Sequence, residues 1–101
     1  MDTEIINEVG VTDKNELLLK ISGNGKPIYQ YIYREAAGVH WDQNLNGFKS
    51  TPLKEWGCSK WFSHIVGIVR SALDVELKLS KDVTWKDVPE NEKAKIIENA
   101  I

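Results

Sequence analysis

The 101-residue chain is long enough for one domain with one core, and its 13 basic and 15 acidic residues give a formal charge of −2. This balance of charges disfavours a general nucleic-acid binder. A single cysteine excludes an internal disulfide and a multi-cysteine metal site. No apolar run approaches the roughly 20 residues that span a bilayer. Since its N-terminus lacks the pattern of a secretory signal, we expect a cytoplasmic single domain over residues 1–101, with no cofactor, no membrane partner and no nucleic-acid partner.

Alternation of apolar and polar side chains predicts strands in the first half of the chain. Residues 4–11 and residues 16–22 form the first two strands. The Gly-Asn-Gly run at residues 23–25 predicts a hairpin turn into a third strand, because glycine and asparagine accept a positive φ at little cost.

The third predicted strand, residues 28–35, carries Tyr29, Tyr31 and Tyr33 on one face. If a helix covers that face, the tyrosines are core residues with their hydroxyls at the rim. If the face is solvated, it is a natural binding surface, because tyrosine offers rigid amphipathic contact at low entropic cost. The sequence leaves both readings open, and these three tyrosines are candidates for binding a ligand or partner.

The stretch over residues 58–73 predicts a long amphipathic helix around which the chain is organised. At about 100° per residue, its apolar side chains share one broad arc, which suits a helix laid across a sheet. A shorter helical turn is predicted to start at residues 51–52, with threonine as N-cap and proline in the first position.

A half-buried strand over residues 74–79 follows the long helix. The run Thr-Trp-Lys-Asp at residues 84–87 fits a capping box for a C-terminal helix over about residues 87–100, with Ala94, Ile97 and Ile101 on one side. Together the elements favour an α+β fold in two layers. We expect a mainly antiparallel sheet of four to five strands, packed by the long helix and the C-terminal helix.

Two histidines and one aspartate are the candidates for catalysis. His40 and Asp42 alternate in a short extended stretch, residues 39–42, so both side chains can point the same way. With His64 they would supply two imidazoles and a carboxylate, enough for a general base or a metal. An exposed histidine beside an exposed aspartate is the commoner case, and no metal site is assigned. A small hydrolase or transferase is the alternative function.

The four tryptophans complete the set of candidate residues. Trp61 falls on the apolar arc of the long helix, whereas Trp41 and Trp56 lie in extended or irregular segments and suit a pocket or a binding surface. An excess of tyrosine and tryptophan without a catalytic set favours a non-enzymatic module that binds a small molecule or a protein. A homodimer is also left open.

The run GKPIYQYIYREAAG over residues 25–38, followed by GFKSTPLKEW over residues 47–56, is similar to small orphan proteins encoded in bacterial integron gene cassettes. The similarity lies in the style and order of the segments. It implies a single-domain, cytoplasmic bacterial protein from an accessory gene of a mobile element, sometimes oligomeric and of unassigned function. It assigns no role to any residue.

Overall fold

The computed structural model describes residues 1–99. Its elements, in chain order, are β1 (Asp2–Val11), β2 (Glu16–Ile21), a 3₁₀ segment (Pro27–Glu35), β3 (His40–Asp42), β4 (Gly47–Pro52), α1 (Cys58–Leu73), β5 (Val75–Lys86) and α2 (Glu90–Asn99). Within residues 1–99, five strands form one sheet in the order β3-β4-β2-β1-β5. The β1–β5 pair is parallel and the other pairs are antiparallel, which confirms the predicted α+β fold.

The face of the sheet that α1 covers, which we call the inner face, holds the core. The strand register aligns Val9, Leu19 and Phe48 across β1, β2 and β4. All three are buried in one cluster with Ile65 and Val69 of α1. The broad apolar arc of α1 therefore lies on the sheet as the sequence predicts. No helix within residues 1–99 has the length and apolar character needed to cross a membrane.

The opposite face of the sheet, the outer face, carries mostly charged and polar side chains. Leu18, Lys49 and His40 stand next to each other there across β2, β4 and β3. Leu18 is buried but does not belong to the core cluster, because its neighbours on this face cover it. The outer face therefore has a local apolar spot in a charged surrounding.

The predicted strand over residues 28–35 is wrong, because Pro27–Glu35 forms the 3₁₀ segment. Its buried residues, Tyr29 and Ile32, are three apart and match a helix of about three residues per turn. Ala36 ends the segment with a φ of 53° and donates its N–H to the carbonyl of Tyr33. The chain therefore leaves β2 for this segment, and the predicted hairpin at residues 23–25 does not form.

Two predicted helix starts are also wrong, because the residues join the sheet instead. Residues 51–52 end β4, where Pro52 pairs with Glu16 of β2. The missing N–H of Pro52 costs little there, since β3 pairs only with residues 47–49 and leaves that side of β4 free. Residues 84–86 continue β5 and pair with β1, so the capping box does not form and α2 begins at Glu90.

The C-terminal helix packs on α1 through a face different from the predicted one. Ile96 is fully buried, whereas Ala94 and Ile97 are exposed; the prediction for Ile101 falls outside the described residues. Glu92 lies one turn before Ile96, and such residues share a helix face. This face of α2 therefore meets α1 with one apolar and one acidic side chain.

The carboxylate of Glu92 caps the N-terminus of α1. It accepts a hydrogen bond from the backbone N–H of Ser59, with an N···O distance of 3.3 Å. A Cβ on Gly57 would overlap this carboxylate, so the glycine leaves the space in which Glu92 sits. An anion at this end of a helix is favoured because unpaired N–H groups give it a partial positive charge.

We expect Glu92→Gln to reduce the pH dependence of stability at acidic pH. Burial raises the pKa of Glu92, but hydrogen bonds from Ser59 and Lys95 outweigh it, so this pKa lies below its ordinary value of 4.5. A lowered folded-state pKa contributes stability that is present above about 4.5 and is lost as pH falls through the folded value. The variant should cost about 1 kcal/mol at pH 7, and the cost should shrink by pH 3.

Urea unfolding followed at pH 7, 5, 4 and 3 measures this effect. Glu98→Gln is the matched control, because it removes an exposed carboxylate from the same helix and leaves the cap on α1 intact. A constant difference in unfolding free energy between wild type and Glu92→Gln across this range would contradict the cap.

Candidate functional site

The three tyrosines that alternate in the sequence occupy different environments in the structure. Tyr29 is fully buried, and its hydroxyl donates a hydrogen bond to the Glu4 carboxylate at 2.6 Å. Burial and this carboxylate raise the pKa of Tyr29 well above its ordinary value. Tyr31 and Tyr33 are exposed, and the Arg34 guanidinium lies over the Tyr31 ring at 4.4 Å. Tyr29 is therefore a core residue, and only Tyr31 and Tyr33 are available to a partner.

Trp41 belongs to the edge of the core. Its ring centroid lies 5.3 Å from that of Tyr29 and 4.8 Å from that of Phe48, both in edge-on contact. Its indole N–H donates to the side-chain oxygen of Gln43 at 2.7 Å. These contacts hold the indole against the core and pair its N–H, so Trp41 packs on the inner face beside the 3₁₀ segment.

The three candidate catalytic residues do not form one site. His40 and Asp42 lie on the outer face of the sheet, in register with Lys49 and Gly47. Asp42 accepts hydrogen bonds from the Leu45 N–H at 3.0 Å and from the Lys49 ammonium at 3.2 Å. His64 lies on α1, which covers the opposite face. The sheet therefore stands between the two histidines.

The electrostatics of Asp42 also indicate a structural role. Burial raises the pKa of Asp42, but its hydrogen bonds with Leu45 and Lys49 outweigh burial and hold the pKa below its ordinary value. A carboxylate with a lowered pKa is a weak general base near neutral pH. Asp42 thus ties the turn after β3 to β4.

His64 instead joins Trp56 and Trp61 in an aromatic cluster at the start of α1. The ring centroids of the two tryptophans lie 4.9 Å apart, and that of His64 lies 5.1 Å from Trp56 and 5.4 Å from Trp61. The His64 Nε2 lies 2.8 Å from the carbonyl oxygen of Ala37. Since a carbonyl can only accept, Nε2 carries the proton and His64 ties α1 to the loop before β3.

Local sequence explains why these rings meet. Trp61 and His64 are three residues apart on α1 and therefore neighbours on its surface, and Trp56 enters from the segment before the helix. The Lys60 ammonium lies over the Trp56 ring at 4.6 Å. Gly38 adopts a φ of 78° and lies so close to Trp61 that a Cβ would stand 2.9 Å from the indole. The glycine therefore lets the loop lie directly on that ring.

An open pocket of about 430 Å³ borders this cluster. We call it the tryptophan pocket, and its lining residues are Thr51, Pro52, Lys54, Glu55, Trp56 and Trp61. Pro52 and the two indoles give it apolar walls, while Lys54 and Glu55 supply charge at its rim. This combination of concave apolar surface with a few polar groups is typical of a small-molecule site.

Of the predicted binding residues, Trp56 alone contributes to the tryptophan pocket. Trp61, which the helical phase predicts to be a core residue, is 9% exposed, so it contributes to both the core and the pocket. Thr51 and Pro52, where the sequence predicts the start of a helical turn, belong to β4. The spacing of Trp56, Trp61 and His64 is the sequence signal that could have identified the cluster.

A second cleft, of about 450 Å³, lies on the outer face of the sheet. Leu18 is at its base, and charged side chains from three strands surround it, including Glu8, Lys20 and Lys86. A cleft surrounded by side chains of both charges is more readily filled by water than by an apolar ligand. Within residues 1–99, no group of three histidine, cysteine, aspartate or glutamate residues is placed to hold a metal ion.

Comparison with known proteins identifies the family. A family model described as Integron Cassette Protein Hfx_Cass5 matches residues 6–83. A solved structure of the integron cassette protein Hfx_Cass5, from the mobile metagenome of the North West Arm sewage outfall, is 25% identical to this chain. The match covers 99% of this chain and 97% of that one, with a TM-score of 0.45. No curated protein matches. The predicted similarity to integron cassette proteins is thus confirmed, and the chain belongs to the Hfx_Cass5 family of integron cassette proteins.

Proposed function

We propose that this protein is a non-enzymatic binding module that holds the apolar ring of a small molecule in the tryptophan pocket. The observation that carries the proposal is the pairing of Trp56 and Trp61, with centroids 4.9 Å apart, beside a concave space of about 430 Å³. Aromatic side chains provide large, rigid contact area and dominate the energetics of many binding sites.

The charges around the pocket favour a ligand that combines a ring with an anionic group. Lys54 lines the pocket, and within residues 1–99 it takes part in none of the ion pairs. The Lys60 ammonium already lies over one face of Trp56, which disfavours a second cation there. A carboxylate or sulfonate on the ligand could pair with Lys54, while the ring packs against the indoles.

The pocket is open, but the two indoles and Pro52 bound it, and its volume of about 430 Å³ matches a compact molecule. The exposed pair Tyr31 and Tyr33 remains the candidate surface for a protein partner. The enzymatic alternative loses its support because His40 and Asp42 are separated from His64 by the sheet.

We also propose that this protein resides in the bacterial cytoplasm and is encoded by an accessory gene of an integron cassette. Cys58 supports this location because it is buried and unpaired. A thiol that forms no disulfide suits a reducing compartment.

Titration with anilinonaphthalene sulfonate tests the proposal, because this probe joins an apolar aromatic group to a sulfonate. We expect saturable binding by the folded wild type, and at least about tenfold weaker binding by Trp56→Ala, which removes one wall of the pocket. Trp85→Phe is the control, since Trp85 lies on β5 and does not line the pocket. Circular dichroism melts would verify that each variant is folded. Equal affinity of Trp56→Ala and wild type would refute the assignment of this pocket.

A further inference from the structure

The strand β5 has an open edge. Within residues 1–99, it pairs with β1 on one side and with no strand on the other. The Asp2 N–H donates to the carbonyl of Asp74 at 3.2 Å, which sets the hydrogen-bonding phase of the strand. In residues 75–79, Glu76 and Lys78 therefore direct their backbone N–H and carbonyl groups to β1. Val75, Leu77 and Leu79 direct theirs to the open edge.

A groove runs along this edge between β5 and α1. Its volume is about 500 Å³, and Phe62, Val66, Leu77 and Leu79 form its apolar part. Another strand laid against β5 would cover these side chains and pair the free backbone groups, as in other cases of strand addition to a sheet edge.

The charges along the edge identify the chemistry of the strand that fits. Glu76 and Lys78 flank Leu77, and within residues 1–99 neither takes part in an ion pair. When two copies of Val75–Leu79 pair antiparallel with Leu77 facing itself, Glu76 of each copy faces Lys78 of the other. The same alignment places Val75 opposite Leu79, so apolar residues also face apolar residues.

We propose that β5 is a homodimer interface, in which residues 75–79 of two copies pair antiparallel around a two-fold axis at Leu77. The direction of the backbone groups supports this register. The N–H and carbonyl of Leu77 point to the open edge, so they can exchange hydrogen bonds with those of Leu77 in the second copy. Glu76 and Lys78 then fall at non-hydrogen-bonded positions, where side chains approach most closely. Both copies keep α1 on the same face, and the two sheets become one.

The fold limits the interface to this segment. The pairing with β1 jumps from Leu79 to Thr84, so residues 80–83 bulge out of the ladder. Bulges and lysines commonly end pairing at a sheet edge. The opposite edge strand, β3, has only three residues, which makes it a poor site for strand addition.

Charge reversal in a cycle tests the register. Glu76→Lys alone, or Lys78→Glu alone, places like charges opposite each other twice per dimer and should raise the dimer dissociation constant at least about tenfold. The double variant Glu76→Lys/Lys78→Glu restores opposite charges in both pairs and should return the dissociation constant close to that of wild type. Lys81→Glu, in the bulge, is the control and should leave dimerisation unchanged.

Sedimentation velocity over a range of protein concentrations at low salt measures these constants, and circular dichroism melts verify folding. A wild type that stays monomeric at all concentrations would overturn the proposal. So would a dimer that both single reversals leave intact, since that result would indicate another surface. Failure of the double variant to recover would show that the charges do not face each other.

Discussion

Gly47→Ala is expected to destabilise the protein by about 3 kcal/mol, the upper part of the usual range for overpacking. Gly47 begins β4 and pairs with Lys20 of β2. An added Cβ would stand 2.5 Å from the carbonyl oxygen of Leu19 and 3.0 Å from a methyl group of Leu18. The first of these atoms belongs to the backbone of a strand inside the sheet, so relief requires β2 and β4 to move apart.

Urea unfolding followed by tryptophan fluorescence measures this loss, and Gly67→Ala is the control. Gly67 is exposed in the interior of α1, and nothing lies within 4 Å of the position a Cβ would take. The same substitution there should stabilise the protein by about 1 kcal/mol, since glycine is a poor helix former. A loss below about 1 kcal/mol for Gly47→Ala would show that β2 and β4 separate easily.

The long helix could be predicted because its signal is redundant. The apolar arc of residues 58–73 spans four turns, and the helix observed has the same bounds. The half-buried strand β2 could be predicted for the same reason, since Leu17, Leu19 and Ile21 alternate and are buried. Where many apolar side chains repeat with the period of one type of secondary structure, the residues that the period predicts to be buried are buried.

The strand β4 could not be predicted because it carries too few apolar residues. Phe48 is its one large apolar side chain, and the next inner position is Ser50. Ser50 is fully buried because its hydroxyl accepts the Leu17 N–H at 2.9 Å and donates to the Thr51 carbonyl at 2.6 Å. Its suitability for the interior depends on partners that are distant in sequence, which periodicity does not reveal.

Neither the 3₁₀ segment nor the tryptophan pocket could be predicted from the sequence pattern. Tyrosines at every second position suggest a strand, although burial follows the spacing of Tyr29 and Ile32. The irregular segment around Trp56 marks this residue as a pocket candidate. The pocket itself needs the end of β4 beside α1, and that arrangement is set by the tertiary fold.

Phe48→Ala is expected to cost about 4 kcal/mol, within the range for removing a buried aromatic side chain. Phe48 is fully buried and connects the two aromatic partners Tyr29 and Trp41, with ring centroids at 5.4 and 4.8 Å. Its loss removes the contact between β4 and the 3₁₀ segment and leaves a cavity that rigid neighbouring rings fill poorly. Native domains are stable by about 5–15 kcal/mol, so a loss of this size removes roughly a quarter or more of the free energy of unfolding.

Comparing the urea unfolding of Phe48→Ala and Phe48→Leu shows how much of the lost stability comes from the missing apolar volume. The leucine variant keeps most of the apolar volume and should lose less than half as much stability as the alanine variant. Tyr33→Ala removes an exposed aromatic side chain from the 3₁₀ segment, and surface changes of this kind usually stay within about 0.5 kcal/mol. Equal losses for Phe48→Ala and Tyr33→Ala would contradict the position of Phe48 in the core. A graded series would show that this single side chain compensates for the low apolar content of β4.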